Sequence, residues 1–330
     1  MPERLVVLDG DYGVDDALAL LGVAAEAGVR IVGVGSVHGN TGALQAARNA
    51  LSVLGVAGLD GVPVAVGAAR PLAQPVELSA EVHGDDGLGG AAPPPSARDR
   101  EPAGVPAAVQ LVDAVRRHPG ACTLIATGPL TNLALAALLD PGIVELVPEV
   151  VVMGGTLDAP GNVGSHTEAN FAHDPEAADL VLSAGWPVSV VGLDVTMRTW
   201  LEEPDLDALG ASGAPAARFA LTALGHYVEL YRGRFGRRGC PLHDPTAARL
   251  ALQPELGSYV EAPARVELRS PTTRGMLLVD RRPFVAAPPG APAVRVAVGV
   301  DRDAVVGRLV EALTGRRQGQ GSRGTPAGAC

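Results

Sequence analysis

The chain has 330 residues, 47% of them hydrophobic, and a formal charge of −10. That is enough apolar material for one large core, and an acidic surface repels phosphate backbones, which argues against a nucleic-acid partner. Every one of the 26 basic residues is arginine, so chemistry that needs a lysine amine (Schiff bases, pyridoxal-phosphate attachment, a P-loop) is excluded.

From the N-terminus, short β-branched runs alternate with stretches of helical period. Leu5–Leu8 predicts a strand so close to the start that a signal peptide has no room. Asp15–Ala27 predicts a helix, Ile31–Val37 a strand, Ala43–Leu54 a helix and Val62–Val66 a strand. Ala68–Ala103, dense in Pro, Gly and Asp, reads as a long loop. Then come helix Val105–Arg117, strand Thr123–Ala126, helix Leu130–Leu139 and strand Val150–Met153. A second long loop, Gly154–Ala172, precedes helix Pro175–Ala184 and strand Val188–Val191. After Leu193 the pattern is more helical, with Ala214–Tyr231 and Pro245–Leu252. Arg265–Val279 predicts a hairpin, Val294–Val300 a strand and Asp301–Leu313 a last helix. The order predicts an α/β fold with an open, mainly parallel sheet flanked by helices. Residues 1–314 read as one domain and 315–330, polar and rich in Gly and Arg, as a disordered tail.

No apolar run approaches the ~18 uncharged residues of a membrane span. The cysteines Cys122, Cys240 and Cys330 are far apart and form no CxxC pair. Disulfides and zinc knuckles are not expected, and a reducing cytoplasm is.

The densest chemical signal is Asp9-Gly10-Asp11-Tyr12-Gly13-Val14-Asp15-Asp16, four carboxylates between an apolar strand and a helix. One or two aspartates suffice to cap a helix; four repel each other unless a cation or donors offset them. Converging carboxylates suit a hard ion such as Ca²⁺ or Mg²⁺. An EF-hand loop fails, because counting from Asp9 its fifth, sixth and twelfth positions are Gly13, Val14 and Leu20. The strand-Asp-x-Asp of haloacid-dehalogenase phosphatases normally comes with a lysine, which is missing.

The block resembles the opening signature of the inosine-uridine-preferring nucleoside hydrolases. Further blocks of that family follow in order: Val37-His38-Gly39-Asn40, His83 to Gly89, Ala126 to Asn132, Val152-Met153-Gly154-Gly155, Gly161-Asn162, Glu168-Ala169-Asn170, Asp174 to Ala178 and His243-Asp244-Pro245. Two residues depart from it: Gly10 and Tyr12 stand where the family more usually has another small residue and a proline.

The resemblance implies a Rossmann-like nucleoside hydrolase fold and hydrolysis of ribonucleosides to ribose and free base, as in nucleoside salvage. It implies Ca²⁺ held by Asp11, Asp16, the Thr127 carbonyl and Asp244, completed by ribose hydroxyls and water. Asp15, Asn162, Glu168 and Asn170 would bind the sugar, Asn40 would hold Asp11, and Met153 would line the pocket. A calcium-activated water, Asp11 as general base and His243 as leaving-group acid complete the chemistry. A homodimer or homotetramer is implied, and His243 points to inosine or uridine without choosing between them.

Other residues keep two readings. His83 is a base-side residue or part of a solvated loop, and His38 shapes the Asn40 turn or acts directly. Tyr227, Tyr231 and Phe235 share a helical stripe that is either a base-stacking face, favoured for Tyr231, or core. His118, His166, His173 and His226 read as structural. Two alternative functions stand beside hydrolysis: a non-catalytic nucleoside or ribose sensor, and a metal-dependent phosphatase.

Overall fold

The computed structural model describes residues 3–284 and 292–315. Its first six strands are β1 (Arg4–Gly10), β2 (Val29–Ser36), β3 (Val64–Val66), β4 (Cys122–Ala126), β5 (Glu149–Met153) and β6 (Val188–Val191). β7 (Trp200–Glu202) and β8 (Gly239–Pro241) form a small antiparallel pair of their own. β9 (Gly257–Val266), β10 (Leu277–Val279) and β11 (Ala293–Val300) complete a nine-stranded sheet of order β10-β9-β11-β6-β5-β4-β1-β2-β3. From β11 to β3 all pairings are parallel; β9 is antiparallel to both β11 and β10.

The α-helices of the described residues are, in chain order, α1 (Val14–Ala24), α2 (Ala43–Val56), α3 (Ala80–His83), α4 (Ala107–Arg117), α5 (Thr131–Leu139), α6 (Ala169–His173), α7 (Pro175–Ser183), α8 (Leu193–Thr196), α9 (Glu203–Ser212), α10 (Pro215–Phe235), α11 (His243–Leu252) and α12 (Arg302–Thr314). Alternation along β1 divides the core between the two faces of the sheet. Val6 and Leu8 pack with α1, α2, α10, α11 and α12, whereas Leu5 and Val7 pack with α4, α5 and α7. A strand covered on both faces has no polar side, so these strands read as continuous apolar runs.

The sheet is the expected α/β architecture, with differences at its far edge. The hairpin expected from Arg265 is shorter than the real pairing, because β9 begins at Gly257 and also bonds β11 along its other edge. Glu261 and Pro263 interrupt the apolar pattern of β9 and conceal it. Both long loops contain a short helix, α3 in the first and α6 in the second. The expected disordered tail falls, apart from Gly315, outside the described residues. Among the described residues no helix is long and apolar enough to cross a membrane.

Candidate active site

The chain lays β1, β2 and β3 in one direction and then returns to set β4, β5 and β6 on the other side of β1. Such a reversal opens a crevice at the carboxyl ends of the strands. Asp11 leaves β1 there and Thr127 leaves β4, joined by Thr127 N–H donating to the Asp9 carbonyl at 2.8 Å.

α1 starts at Val14, so Asp15 and Asp16 occupy its first turn, where the helix dipole favours negative charge. Asp16 Oδ2 accepts from Gly13 N–H at 2.8 Å and Oδ1 from the Thr127 hydroxyl at 2.7 Å. A Cβ at position 10 would stand 2.5 Å from both Asp16 Oδ1 and Thr127 Oγ1, so with the glycine that departs from the usual motif these two oxygens approach the backbone closely. Asp11 is gripped by Asn40, whose backbone N–H donates to Oδ2 at 2.7 Å and whose Nδ2 donates to Oδ1 at 3.0 Å. Gly39, with φ of 153°, precedes this grip, and a Cβ there would overlap the Asp11 carboxylate.

Asp244, in the first turn of α11, closes the cluster. Oxygens of Asp15, Asp16 and Asp244 all lie within 4.8 Å of one another, and all three residues are buried. Asp11 lies outside that group, turned to Asn40. Burial, reinforced by the other carboxylates, pushes Asp11 and Asp244 well above the usual carboxylate range. Burial and the Asp15 charge raise Asp16 to about 6, and burial raises Asp15 against the opposing charge of His243. Among the described residues no arginine hydrogen-bonds any of the four, and the buried Asp15 Oδ1 has no hydrogen-bond partner. The three converging carboxylates form an all-oxygen donor set of the kind that fits a hard ion.

Glu168 caps α6. Its Oε1 accepts from Asn170 N–H at 2.9 Å, and Oε2 from Gly155 N–H at 2.8 Å and Phe171 N–H at 3.2 Å. Burial raises it to about 7, partly countered by those donors. Asn170 Nδ2 reaches the carbonyls of Thr127 and Met153 at 3.0 and 3.1 Å. Asn162 Oδ1 accepts from Ala169 N–H at 3.0 Å.

On the other side stand the imidazoles and tyrosines. His243 opens α11, with Nδ1 2.8 Å from Thr196 Oγ1 and Nε2 3.3 Å from the Tyr231 hydroxyl. Burial lowers its pKa, and the Asp15 carboxylate pulls it back. Tyr227 donates to Asp15 Oδ2 at 3.4 Å and meets Tyr231 edge-on at 4.9 Å. Tyr231 packs in the core and also lines the pocket, whereas Phe235 is half exposed and does not line it. His83 is the last residue of α3 and buried, not part of a solvated loop.

Most candidate residues thus lie at this crevice. Asp11 and Asp16 sit behind it, bonded to Asn40 and Thr127, and the others line one cavity of about 120 Å³. His38 is fully buried beneath, 3.3 Å from Thr131 Oγ1, and does not line it. Sequence reasoning missed Thr196, Asp194 and Asn132. Asn132 joins Asp9 Oδ2 (2.9 Å), the Ser36 carbonyl (2.8 Å) and Ala68 N–H (2.9 Å), and was in plain view in the Ala126–Asn132 block. The signal for the other two was a carboxylate and a hydroxyl within five residues of the end of β6, Asp194 and Thr196, much as Asp11 lies beyond the end of β1.

Comparison with known proteins agrees with this geometry. The family model described as inosine-uridine preferring nucleoside hydrolase matches residues 6–307. The chain is 36% identical over 317 residues to a probable uridine nucleosidase 2 of Arabidopsis thaliana, covering 94% of this chain and 97% of that one. It is 34% identical over 315 residues to an inosine-uridine preferring nucleoside hydrolase of Crithidia fasciculata, covering 95% and 98%. A solved plant nucleoside hydrolase superposes with a TM-score of 0.89 at 33% identity, over 95% of this chain and 99% of the other.

Proposed function

The chain belongs to the inosine-uridine preferring nucleoside hydrolase family, and from that premise we propose that it splits ribonucleosides into ribose and base with a calcium ion, Asp11 as general base and His243 as leaving-group acid. The observation that carries this reading is the convergence of Asp15, Asp16 and Asp244 within 4.8 Å, close to an Asp11 held from both oxygens.

Asp11, Asp16, the Thr127 carbonyl and Asp244 are the ion's ligands in this reading, with Asp15 near enough to share it with the sugar. Bound there, the ion supplies positive charge to the cluster and Lewis acidity toward oxygen. Asp15, Asn162, Glu168 and Asn170 give the ribose hydroxyls acceptors and donors. Breaking the C1′–N bond builds positive charge on the ribosyl ring, which an acidic pocket favours over the neutral ground state. Asp11 takes a proton from the attacking water as its oxygen bonds to C1′. The C–N electron pair leaves with the base, and His243 supplies a proton to it. No covalent intermediate is needed, so the ribose emerges with inverted configuration.

The test is a panel of inosine, adenosine, uridine and cytidine, with and without a calcium chelator. Ribose release that stops on chelation and returns with Ca²⁺ is expected. Full rates in exhaustively chelated protein overturn the calcium reading; binding without release from any of the four would make the protein a sensor. Phosphate release from nucleotides alone would make it a phosphatase.

A further inference from the structure

After β6 the chain turns through α8, a four-residue helix that is pinned on two sides. Its Leu193 N–H donates to the Gly155 carbonyl at 3.0 Å. The Asp194 carboxylate accepts from the backbone N–H groups of Leu157, Asp158 and Ala159 at 2.6, 2.8 and 2.9 Å. Two residues on, Thr196 is fully buried, and its Oγ1 lies 2.8 Å from His243 Nδ1. The fixed turn leaves that hydroxyl little freedom to move away from the imidazole.

An imidazole ring turned over about its Cβ–Cγ bond exchanges Nδ1 with Cδ2 and Nε2 with Cε1. In the observed orientation Nδ1 faces Thr196 in the interior, and Nε2 faces Tyr231 at the pocket. In the flipped orientation a carbon would face the pocket, and no proton could leave from it. The contact to Tyr231, at 3.3 Å, is the longer of the two.

We propose that Thr196 is a positioning residue for the leaving-group step, its hydroxyl holding the His243 ring so that Nε2 faces the departing base. The inference rests on the reading of His243 as leaving-group acid, and Thr196 itself touches no substrate.

The experiment compares Thr196→Val, which keeps the shape and loses the hydrogen bond, with Thr196→Ser, which keeps the hydroxyl. Each is assayed on uridine and inosine and on p-nitrophenyl riboside, whose phenolate leaves without a proton. Thr196→Val should lower kcat on the nucleosides roughly 10- to 100-fold, less than the ~10²- to 10⁴-fold of losing a general acid outright. Its KM, and its rate on p-nitrophenyl riboside, should shift by less than about threefold. Thr196→Ser should recover most of the loss. Equal losses on both kinds of substrate, or no loss on the nucleosides, overturn the proposal. His243→Ala run in parallel separates the two readings. If it loses equally on both substrates, the acid assignment falls; if it discriminates and Thr196→Val does not, only the role of Thr196 falls. Thr196→Ala serves, with the same expectations, should the valine variant not fold.

Discussion

The imidazole of His83 caps the helix that carries Asp15 and Asp16, Val14 N–H donating to its Nδ1 at 3.1 Å. The first N–H groups of a helix have no partner within it, so this bond satisfies a donor that burial would otherwise strand. It also makes Nδ1 an acceptor, which leaves the ring neutral with its proton on Nε2. Burial agrees, pushing His83 down to about 4 against the charge of Asp16. His83→Ala should therefore cost about 1–2 kcal/mol of stability in urea unfolding. It should also raise KM, because the loop from 68 to 103 loses its tie to α1. If neither changes, the capping bond is not made in solution.

Metal removal should be visible without any assay of turnover. An ion that binds only the folded state stabilises it by mass action, about 2.7 kcal/mol at a hundredfold excess over Kd. Chelation should lower Tm, and Ca²⁺ should restore it in the wild type but much less in Asp244→Asn. A Tm indifferent to calcium in both would leave the carboxylate cluster without its proposed ion.

Asp11→Asn keeps the shape of the side chain and loses its basicity. The rate on uridine or inosine should fall roughly 10²- to 10⁴-fold, the usual range for a lost general base, and further if calcium is weakened too. A near-wild-type rate would reduce Asp11 to a partner of Asn40.

What the sequence made legible was local. Leu5–Leu8 and Val188–Val191 read as strands because nothing polar interrupts them, and Asp11, Asn40, Thr127 and His243 each sit at or just beyond the end of an element, inside a short block. The illegible part was the choice among neighbours. The family blocks already implied that Asn40 holds Asp11, but nothing in Asp11-Tyr12-Gly13-Val14-Asp15-Asp16 says that Asp15 joins Asp16 and Asp244; that follows from where α1 begins. Likewise Glu168 looked like a sugar ligand, yet its oxygens first hold the N–H groups that open α6. Thr196 lay hidden because the strand read at Val188–Val191 stops short of it, none of the family blocks contains it, and its partner comes from a helix far along the chain.

Tyr12, which replaces the usual proline, carries two costs at once. Its φ of 26° lies in the left-handed region, which proline cannot adopt and a bulky side chain rarely does. Its hydroxyl is buried without a hydrogen-bond partner, while its carbonyl accepts from Asn49 Nδ2 at 2.9 Å. An unpaired buried hydroxyl costs about 1–3 kcal/mol, so Tyr12→Phe should raise unfolding stability by about 1 kcal/mol. Turnover should stay within about twofold of the wild type, since the backbone is untouched. A loss of stability would show that the hydroxyl does have a partner, such as an enclosed water.

The last prediction concerns acid stability and His38. The ring is fully buried, its Nε2 3.3 Å from Thr131 Oγ1, and Thr131 in turn donates to Asp174 Oδ2 at 2.6 Å. Burial, with the nearby charge of His173, lowers its pKa from 6.5 to about 4. The folded chain therefore keeps His38 neutral at a pH where the unfolded chain protonates it. Between about pH 6.5 and 4 the unfolded state binds the extra proton, so the stability that His38 contributes is complete above 6.5 and is lost as pH falls toward 4. Other buried groups titrate in the same window, and the raised carboxylates Asp9 and Glu168, both at about 7, act in the opposite sense. The quantity to measure is thus the difference in unfolding free energy between the wild type and His38→Asn, from urea melts at several pH values across that window. The wild type's advantage should shrink by about 1–3 kcal/mol from the neutral to the acid end, the span a shift of this size allows. A difference that stays flat with pH would mean that His38 titrates normally in the folded protein, and so that water reaches it.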